Sequence, residues 1–317
     1  MKVTEHIAQA KGPIISFEVL PPTKGKSIGS IYSHLDPLME FNPSFINVTY
    51  HRAEQVIKER FDGSLERVEI RKRPGTVGIC AALMNKYKIE AIPHLICGGF
   101  SKEETENALI DLNFLGINNV LALRGDAAKD EKFFIPHAHG HSYAEELVQQ
   151  IVNMNHGHYM EEDIIDGAKT DFCIGVAGYP EKHFEAPNMD IDIEYLKKKI
   201  DLGADYVTTQ LFFDNKHYYN YIKKCHEHGV NVPVIPGLKP ITNKKQLTIL
   251  PRIFNIEVPV ELYNEMMKAK NEADCEKVGT EWLLHQCRDL LKNNAPVLHF
   301  YTLGKPQIIY NVLKQLF

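Results

Sequence analysis

The chain has 317 residues, of which 44% are hydrophobic and 24% are charged, and its formal net charge is -5. These proportions are ordinary for a globular protein and exclude an intrinsically disordered chain or a small scaffold held together by disulfides. The mildly acidic balance excludes a general attraction to nucleic acid or to anionic membranes, so neither is expected as a partner. The length allows either two small domains or one large α/β barrel.

Eight short apolar runs recur along the chain, with helical patterns between them. Apolar and polar residues do not alternate cleanly within these runs, which indicates strands buried on both faces, as in a parallel sheet. Amphipathic stretches at 102–115 and 192–202 are typical of the connecting helices. Eight strand-and-helix repeats predict an α/β fold, a (β/α)8 TIM barrel that occupies residues 1–317 as one domain. The runs are 14–20, 45–50, 91–97, 119–123, 172–179, 206–213, 232–238 and 297–303.

Two segments depart from the regular repeat. Residues 153–170 are polar and irregular, and they predict a loop insertion before the fifth strand, whereas 251–294 predict one or two extra helices before the last strand. The competing doubly wound fold usually has a glycine-rich dinucleotide turn after its first strand. Here Pro-Pro-Thr-Lys-Gly follows at 21–25, and the sequence contains neither G-x-G-x-x-G nor a Walker A pattern, so the barrel is favoured.

The six cysteines predict reduced thiols packed as small apolar side chains. They are scattered mostly beside apolar residues, and none forms a C-x-x-C pair. The first residues, MKVTEHIAQAKGP, lack the apolar core of a secretory signal, and no run approaches the roughly 18 apolar residues that a membrane helix needs. The sequence therefore predicts a cytoplasmic protein.

Polar or charged side chains lie near the C-terminal end of every predicted strand. A barrel gathers these ends around one mouth, where active sites lie. Each residue alone is more often a satisfied hydrogen-bonding group, but their coincidence in all eight runs predicts a single site. The residues are Glu18, Thr49, His94, Arg124, Asp126, Tyr179, Gln210, Lys239, His299 and Tyr301.

Glu18 is the sharpest departure from pattern, because a carboxyl interrupts the apolar run IISFEVL. Phe17 and Val19 flank it, so we expect partial desolvation. Desolvation favours the protonated form of a carboxyl, and a protonated carboxyl near neutral pH suits a general acid. A salt-bridged structural glutamate is the alternative, and the sequence leaves both interpretations open.

The segment LALRGD at 121–126 ends its strand with Arg-Gly-Asp. The planar guanidinium of Arg124 suits a phosphate or carboxylate, and Gly125 lets a flat ligand approach the backbone. Asp126 can accept hydrogen bonds from the N–H groups of a heterocycle. An ordinary turn is the alternative.

The HAHGH segment contains His137, His139 and His141, a pattern that can chelate zinc. It lies well past the fourth predicted strand in a polar, glycine-containing stretch, without a carboxylate at a suitable spacing. A solvated loop is therefore favoured, and no metal site is predicted.

Together these motifs resemble those of the methylenetetrahydrofolate reductases, in the short bacterial form that consists of the catalytic barrel. Any one motif is weak, but all eight occur in the family's order. Because the chain stops at Phe317, the C-terminal regulatory domain of the eukaryotic enzymes is expected to be absent. The similar segments are SFEVLPP at 16–22, NVTY at 47–50, PHLIC at 93–97, LALRGD at 121–126, GYPEKH at 178–183, TQLFFD at 209–214, IPGLKP at 235–240 and HFYTL at 299–303.

The resemblance implies an oxidoreductase of one-carbon metabolism that converts 5,10-methylenetetrahydrofolate to 5-methyltetrahydrofolate, which feeds methionine biosynthesis. NADH or NADPH would supply hydride through non-covalently bound FAD. Glu18 would be the general acid that protonates a folate nitrogen, and Asp126 would lie between the flavin and the pterin. The implied partners are these small molecules and further copies of the chain in a homo-oligomer.

The resemblance also assigns binding residues. Leu211 departs from the family pattern, where phenylalanine is usual, and Lys305 stands where an arginine often follows the last strand. Lys305 keeps the positive charge but loses the bidentate fork. Folate would contact Asp126, Gln210, Gln246 and Lys305. FAD would contact Thr49, His94, Arg124, Gly125, Asp126, Tyr143, Ala144, Tyr179, His183, Asp192, Lys198 and Lys199.

Two other functions stay open. One is a metal-dependent barrel hydrolase that uses the HAHGH segment, and the other is a barrel that binds flavin or folate without catalysis. A flavin spectrum, bound zinc and the reduction of flavin by NADH distinguish the three functions. The presence of both Glu18 and Asp126 argues against an inactive relative.

Overall fold

The computed structural model describes residues 1–127, 131, 133–302 and 305–317. Eight parallel strands close into a barrel, which confirms the predicted fold. Each strand coincides with one apolar run to within two residues at either end, and Leu303, which ends the last run, lies outside the described residues. In order around the barrel the strands are β1 (Ile14–Val19), β10 (Val297–Tyr301), β9 (Val234–Leu238), β8 (Tyr206–Leu211), β7 (Cys173–Gly178), β6 (Asn119–Leu123), β5 (Glu90–Ile96) and β2 (Phe45–Val48).

A two-stranded antiparallel hairpin, β3 (Glu54–Glu59) and β4 (Leu65–Ile70), follows β2 and is not part of the barrel. The sequence did not predict it, because its few apolar residues form no periodic pattern. Several of them are exposed, including Ile57, Leu65 and Phe61 at the turn. The hairpin therefore has no buried face of its own.

Eleven helices are found in the described part of the chain, together with a 3-10 turn at Asp36–Phe41. Their ends follow local capping rules: Ser101 and Glu104 form a capping box at one N-terminus, and Asn188 and Asn271 cap two others. The helices are α1 (Val3–Gln9), α2 (Gly29–Leu35), α3 (Thr76–Tyr87), α4 (Lys102–Phe114), α5 (Ala144–Asn155), α6 (Met189–Asp201), α7 (Asn215–Glu227), α8 (Gln246–Phe254), α9 (Val260–Lys268), α10 (Glu272–Lys292) and α11 (Pro306–Leu316).

The two irregular segments are largely as predicted. Helices α9 and α10 are the extra helices expected over 251–294, and α8 begins before that range. The insertion expected at 153–170 is irregular only from residue 156, and its first residues complete α5. The reason is that Met154 is fully buried on the core face of α5, which holds the last turn in place.

The barrel interior changes from apolar to polar along the strands. Alternate residues of a strand face opposite sides. Phe17 and Val19 of β1 pack in the core shared with the helices, whereas Ser16 and Glu18 meet side chains of other strands inside the barrel. Val3 of α1 closes the N-terminal end, where each barrel strand contributes one residue to an apolar layer, which we call the basal layer. Its members are Ile14, Phe45, Ile92, Leu121, Cys173, Tyr206, Ile235 and Val297.

A second apolar cluster joins α8, α9 and α10 to the end of β8. Leu211, the departure from the family pattern, is buried in it. Trp282 of α10 packs against the cluster and donates its indole N–H to the Phe213 carbonyl oxygen, 3.0 Å away. Gly279 lets α10 pack closely against the backbone at Ile241, because a Cβ at residue 279 would lie 1.8 Å from the Ile241 carbonyl oxygen.

All six cysteines are buried free thiols, as predicted. Burial raises the pKa of Cys173 and Cys225 to about 11 and that of Cys97 to about 12, so these thiols stay protonated and poorly reactive. Among the described helices, none combines the length and the apolar character that crossing a membrane requires.

Candidate active site

A buried carboxyl lies between two histidines at the C-terminal mouth of the barrel. Glu18 of β1 is 7% exposed, which confirms the expected desolvation. Its Oε2 lies 3.5 Å from Nε2 of His94 on β5 and 3.8 Å from Nε2 of His299 on β10. Both Nε2 atoms are buried and lack a hydrogen-bond partner among the described residues. The site therefore holds polar groups whose hydrogen-bonding capacity is not used within the protein.

The groups around Glu18 are held in defined states. Ser16 contacts Nδ1 of His299 through its hydroxyl at 2.8 Å, which orients the ring. Burial lowers the pKa of His94 to about 4, against the opposing charge of Glu18, so His94 is neutral at neutral pH. Lys239, after β9, is 9% exposed, and burial lowers its pKa while the Glu18 charge raises it. Glu18 thus shares one electrostatic environment with His94 and Lys239.

The backbone at the end of β1 is fixed by the neighbouring strand end. Thr302 donates both its hydroxyl and its N–H to the Glu18 carbonyl oxygen, at 2.6 and 3.2 Å. Because two donors bind the same carbonyl, the main chain that carries the carboxyl has little freedom to shift.

The predicted folate-contacting residues are arranged less tightly. Gln210 of β8 accepts a hydrogen bond from the Leu211 N–H at 2.9 Å, and Gln246 at the start of α8 accepts one from the Thr242 N–H at 2.7 Å. Lys305 pairs with Glu276 of α10, and the Lys305 charge contributes to the lowered pKa of Lys239. Lys305 therefore interacts electrostatically with Lys239, which also interacts with Glu18. The two glutamines instead accept hydrogen bonds from nearby backbone N–H groups.

The Arg-Gly-Asp turn follows β6. The Arg124 guanidinium pairs with Glu185 at 2.6 Å and stands 5.1 Å from the centre of the Phe134 ring. Gly125 has φ of +85°, a conformation that favours glycine. Asp126 is exposed, and its charge adds to burial in raising the pKa of Tyr179. Arg124 and Asp126 thus lie on the side of the mouth formed by the loop after β7.

Several basic groups surround His183 in that loop. Its ring lies 4.7 Å from the Tyr179 ring, and the backbone N–H of His183 donates to Asp192 Oδ2 at 2.9 Å. Burial and then the charge of Arg124 lower the pKa of His183 to about 4, with Lys199 and Lys182 acting in the same direction. Such a concentration of positive charge suits an anionic ligand.

Lys199 and Asp192 form a buried part of this basic region. Burial lowers the pKa of Lys199 to about 8 and raises the pKa of Asp192, while each charge opposes the shift of the other. The Lys199 ammonium donates to the Ala177 carbonyl oxygen of β7 at 3.3 Å. We call Arg124, Tyr179, His183, Asp192 and Lys199 the basic cleft.

Four further residues predicted to bind FAD lie outside the basic cleft: Tyr143, Ala144, Lys198 and Thr49. Tyr143 is 57% exposed immediately before α5, and Ala144 is the first residue of that helix; Glu145 in the same turn acts on Lys199. Lys198 is exposed, with its ammonium 5.4 Å from the centre of the Tyr195 ring. Thr49, after β2, contacts Nε2 of His51 at 3.3 Å through its hydroxyl.

The HAHGH histidines are not gathered into one site. His137 and His139 are exposed, with ring centres 6.2 Å apart. His141 is buried, and its Nε2 lies 2.6 Å from Gln150 Oε1. In the parts of the chain that are described, the group of potential metal ligands that converges contains none of the three.

Sequence reasoning missed Ser16, Lys182 and Glu185 as members of these sites. The position of Ser16, two residues before Glu18 on the same strand, places both on one face and was a usable signal. The ion pair of Glu185 with Arg124 joins two separate loops, so no local pattern indicates it.

The family assignment rests on the whole chain, since residues 2–317 match the family model for methylenetetrahydrofolate reductase. The chain belongs to this family. Methylenetetrahydrofolate reductase 2 of Saccharomyces cerevisiae is 29% identical over 100% of this chain and 50% of its own length. The 5,10-methylenetetrahydrofolate reductase of Pectobacterium carotovorum is 29% identical over 98% of this chain and 92% of its own length.

The lengths of these methylenetetrahydrofolate reductases differ in an informative way. The chain spans about half the length of the yeast, worm and plant relatives that it matches and nearly all of the two bacterial ones. An uncharacterized protein from Clostridium thermocellum that binds two copies of 5-methyl-5,6,7,8-tetrahydrofolic acid has a similar fold, with a TM-score of 0.56, 14% identity and coverage of 98% and 96% of the two chains.

Proposed function

We propose that this chain reduces 5,10-methylenetetrahydrofolate to 5-methyltetrahydrofolate, with NADH or NADPH as the reductant and non-covalent FAD as cofactor. The observation that carries the proposal is Glu18, a buried carboxyl that faces two histidines at the mouth of a barrel of this family. Relatives named as an NADPH enzyme in Caenorhabditis elegans and an NADH enzyme in Arabidopsis thaliana support a nicotinamide co-substrate of either kind. The product would feed methionine biosynthesis, and the single catalytic domain and the homo-oligomer stay predictions.

The basic cleft fits the chemistry of FAD. A diphosphate needs cations and N–H donors, and Arg124, Lys182 and Lys199 together place positive charge around His183. The left-handed backbone at Gly125 favours glycine, and a Cβ there would lie 3.3 Å from the Ile96 side chain. We expect Arg124 and Lys199 to bind the phosphates and the Tyr179 ring to pack against the cofactor. When bound, FAD supplies hydride-transfer chemistry.

Glu18 would act as a general acid on the folate. Its proton passes to a nitrogen of the bridging five-membered ring, the bond from that nitrogen to the methylene carbon breaks, and the electron pair of the other nitrogen forms an iminium at that carbon. The iminium carbon is then a much stronger hydride acceptor. Burial keeps His94 neutral, so it places no fixed positive charge beside Glu18.

Other residues would hold the substrate. Asp126 is exposed beyond β6, where its carboxylate can accept hydrogen bonds from the amino and ring N–H groups of the pterin. Gln210 and Gln246 offer amides, and Lys305 offers a cation for the carboxylates of the glutamate tail. Lys305 would have to exchange Glu276 for that ligand, and a lysine binds it through a point charge only.

Anaerobic spectroscopy of the purified protein tests the proposal. NADH should bleach the flavin absorbance, and subsequent 5,10-methylenetetrahydrofolate should restore it. A colourless protein that does not take up added FAD would contradict the proposal. Bleaching by NADH without recovery would indicate a flavoprotein with another acceptor. Colour without bleaching by either nicotinamide would favour a binding protein, and bound zinc without flavin would favour the hydrolase.

A further inference from the structure

Three potential metal ligands converge on the rim of the barrel, away from Glu18. Glu181 lies in the loop between β7 and α6, His217 in the first turn of α7, and Glu257 between α8 and α9. One ligand atom from each residue lies within 4.8 Å of those of the other two, and Nε2 of His217 is 3.9 Å from Oε2 of Glu257. We propose that these three side chains bind one divalent transition-metal ion, of the Zn²⁺ or Mn²⁺ class.

The donor set defines the class of ion. Carboxylate oxygens alone suit Mg²⁺ and Ca²⁺, but an imidazole ligand shifts the preference to transition metals. Ligand atoms about 2.1 Å from a tetrahedral metal are about 3.4 Å apart, so the three atoms need to approach by roughly 1 Å. The Glu257 side chain is 82% exposed and is free to make that movement. Three protein ligands leave a fourth position for water.

Glu181 supplies a second and independent observation. Its Oε2 accepts a hydrogen bond from the Glu257 N–H at 2.6 Å, which fixes the carboxyl against the loop after α8. Its Oε1 is shut off from solvent and has no hydrogen-bond partner in the described ranges. A buried acceptor without a partner is unfavourable, and a bound cation would satisfy it.

The local charge balance also favours a cation. Two carboxyl groups, those of Glu181 and Glu257, share this cluster with the single imidazole of His217, and Asp214 lies near Glu181. Asp214 is already engaged as the cap of α7, where it accepts the Lys216 N–H at 2.9 Å. A divalent ion would neutralise Glu181 and Glu257 together, which proton uptake by one of them achieves only in part.

The ion would connect three separate segments. Glu181 is two residues from both Tyr179 and His183, so a metal there would tie the loop that carries these two residues to α7 and to the connection between α8 and α9. The inferred role is structural, and it depends on neither the folate chemistry nor the flavin.

Metal titration of the whole protein tests the site. Protein stripped with a chelator is titrated by calorimetry with ZnCl₂ and separately with MnCl₂, and thermal unfolding is followed with and without each metal. We expect one tight site per chain and a higher melting temperature with metal. His217→Gln and Glu257→Gln should each weaken binding at least about tenfold and abolish the thermal shift, because each removes a direct ligand.

Two matched variants control for adventitious surface binding. His139→Gln removes an exposed imidazole of HAHGH, and Glu261→Gln removes an exposed carboxylate of α9, so both should bind metal as the native protein does. Loss of the tight site in His139→Gln with retention in His217→Gln would assign it to HAHGH and overturn the proposal. The proposal is also overturned if native protein shows no tight site, or if Glu257→Gln, altered only at an exposed side chain, binds unchanged.

Discussion

The two ends of the barrel interior are built from opposite chemistry. At the N-terminal end the basal layer takes one residue from each strand and is apolar except for the Tyr206 hydroxyl, which is buried without a hydrogen-bond partner among the described residues. At the mouth, the inward positions include Glu18, His94, Lys239 and His299, and Nε2 of each of the two histidines is buried without a hydrogen-bond partner in the part of the chain that the structure describes. Apolar burial stabilises the first end, whereas polar burial without hydrogen bonds destabilises the second. The difference shows that the lower barrel and its helices provide the stability that lets the mouth hold reactive groups in unfavourable surroundings.

The largest expected effect is on the reaction at the mouth, and it follows from removing the proposed general acid. Glu18→Gln keeps the shape of the side chain but cannot donate an acidic proton. Folate reduction should fall by roughly 10²–10⁴, the usual loss on removing a general acid, while NADH-dependent reduction of an artificial electron acceptor stays close to native. Steady-state rates with the two acceptors measure this. Equal losses with both acceptors would mean that Glu18 is structural.

The second prediction concerns a substitution away from the mouth, which should lower stability without changing the active site. Gly279→Ala places a Cβ against the Ile241 backbone, so the free energy of unfolding should fall by about 2–3 kcal/mol with little change in turnover at low temperature. Urea denaturation measures it. Gly78→Ala in α3 is the matched control, because a Cβ there meets nothing within 4 Å; it should be neutral or stabilise by about 0.5–1 kcal/mol.

The third prediction measures the cost of burying His94. Its pKa is about 4 in the folded state and near the usual 6.5 when unfolded, so the unfolded chain takes up the proton first as pH falls. The free energy of unfolding should therefore have its full value above pH 6.5 and decrease as the pH falls toward 4. Between pH 7 and pH 5 the free energy of unfolding of the native protein should decrease. The decrease in His94→Gln should be smaller by on the order of 1–2 kcal/mol.

Urea denaturation across this pH range provides the measurement, with His226→Gln, at an exposed position of α7, as the control for loss of a surface histidine. Identical pH dependence in native protein and His94→Gln would show that His94 carries no such penalty.

The smallest effect concerns the basic cleft. Lys199 has a pKa of about 8, and only its charged form attracts a phosphate, so FAD affinity should be highest below pH 8 and fall as pH rises through that value. Lys199→Met should weaken FAD binding about tenfold at pH 7, equivalent to about 1.4 kcal/mol, and flatten this pH dependence.

Fluorescence titration of the apoprotein with FAD measures the affinity. Lys197→Met is the control, since that exposed ammonium pairs with Asp201 on the outside of α6. If the two variants bind alike, the diphosphate lies elsewhere.

The strands were predictable because both of their faces are apolar along most of their length. For the same reason the alternation that separates inward from outward residues is hidden in the sequence. Glu18, His94 and His299 were recognisable as strand-end polar residues. The hydrogen bond between Ser16 and His299 was not, because it depends on the register that pairs these two residues across β1 and β10.

Features made by separate loops were beyond the sequence. The β3–β4 hairpin has too few apolar residues to form a periodic pattern, and its strands are stabilised mainly by pairing with each other. Glu181 and Glu257 come from two connections and His217 from the first turn of α7, so their convergence depends on how the helices pack around the barrel. Local propensity carries no information about such distances.

The indole of Trp282 gives the molecule an optical property. It is the only tryptophan among the 317 residues, whereas 14 tyrosines are distributed along the chain. Protein fluorescence excited at wavelengths that tyrosine does not absorb therefore reports on the contact between α10 and the end of β8. A fluorescence change of this indole that precedes the loss of far-ultraviolet circular dichroism would show the α8–α10 layer separating from an intact barrel, without any label attached to the protein.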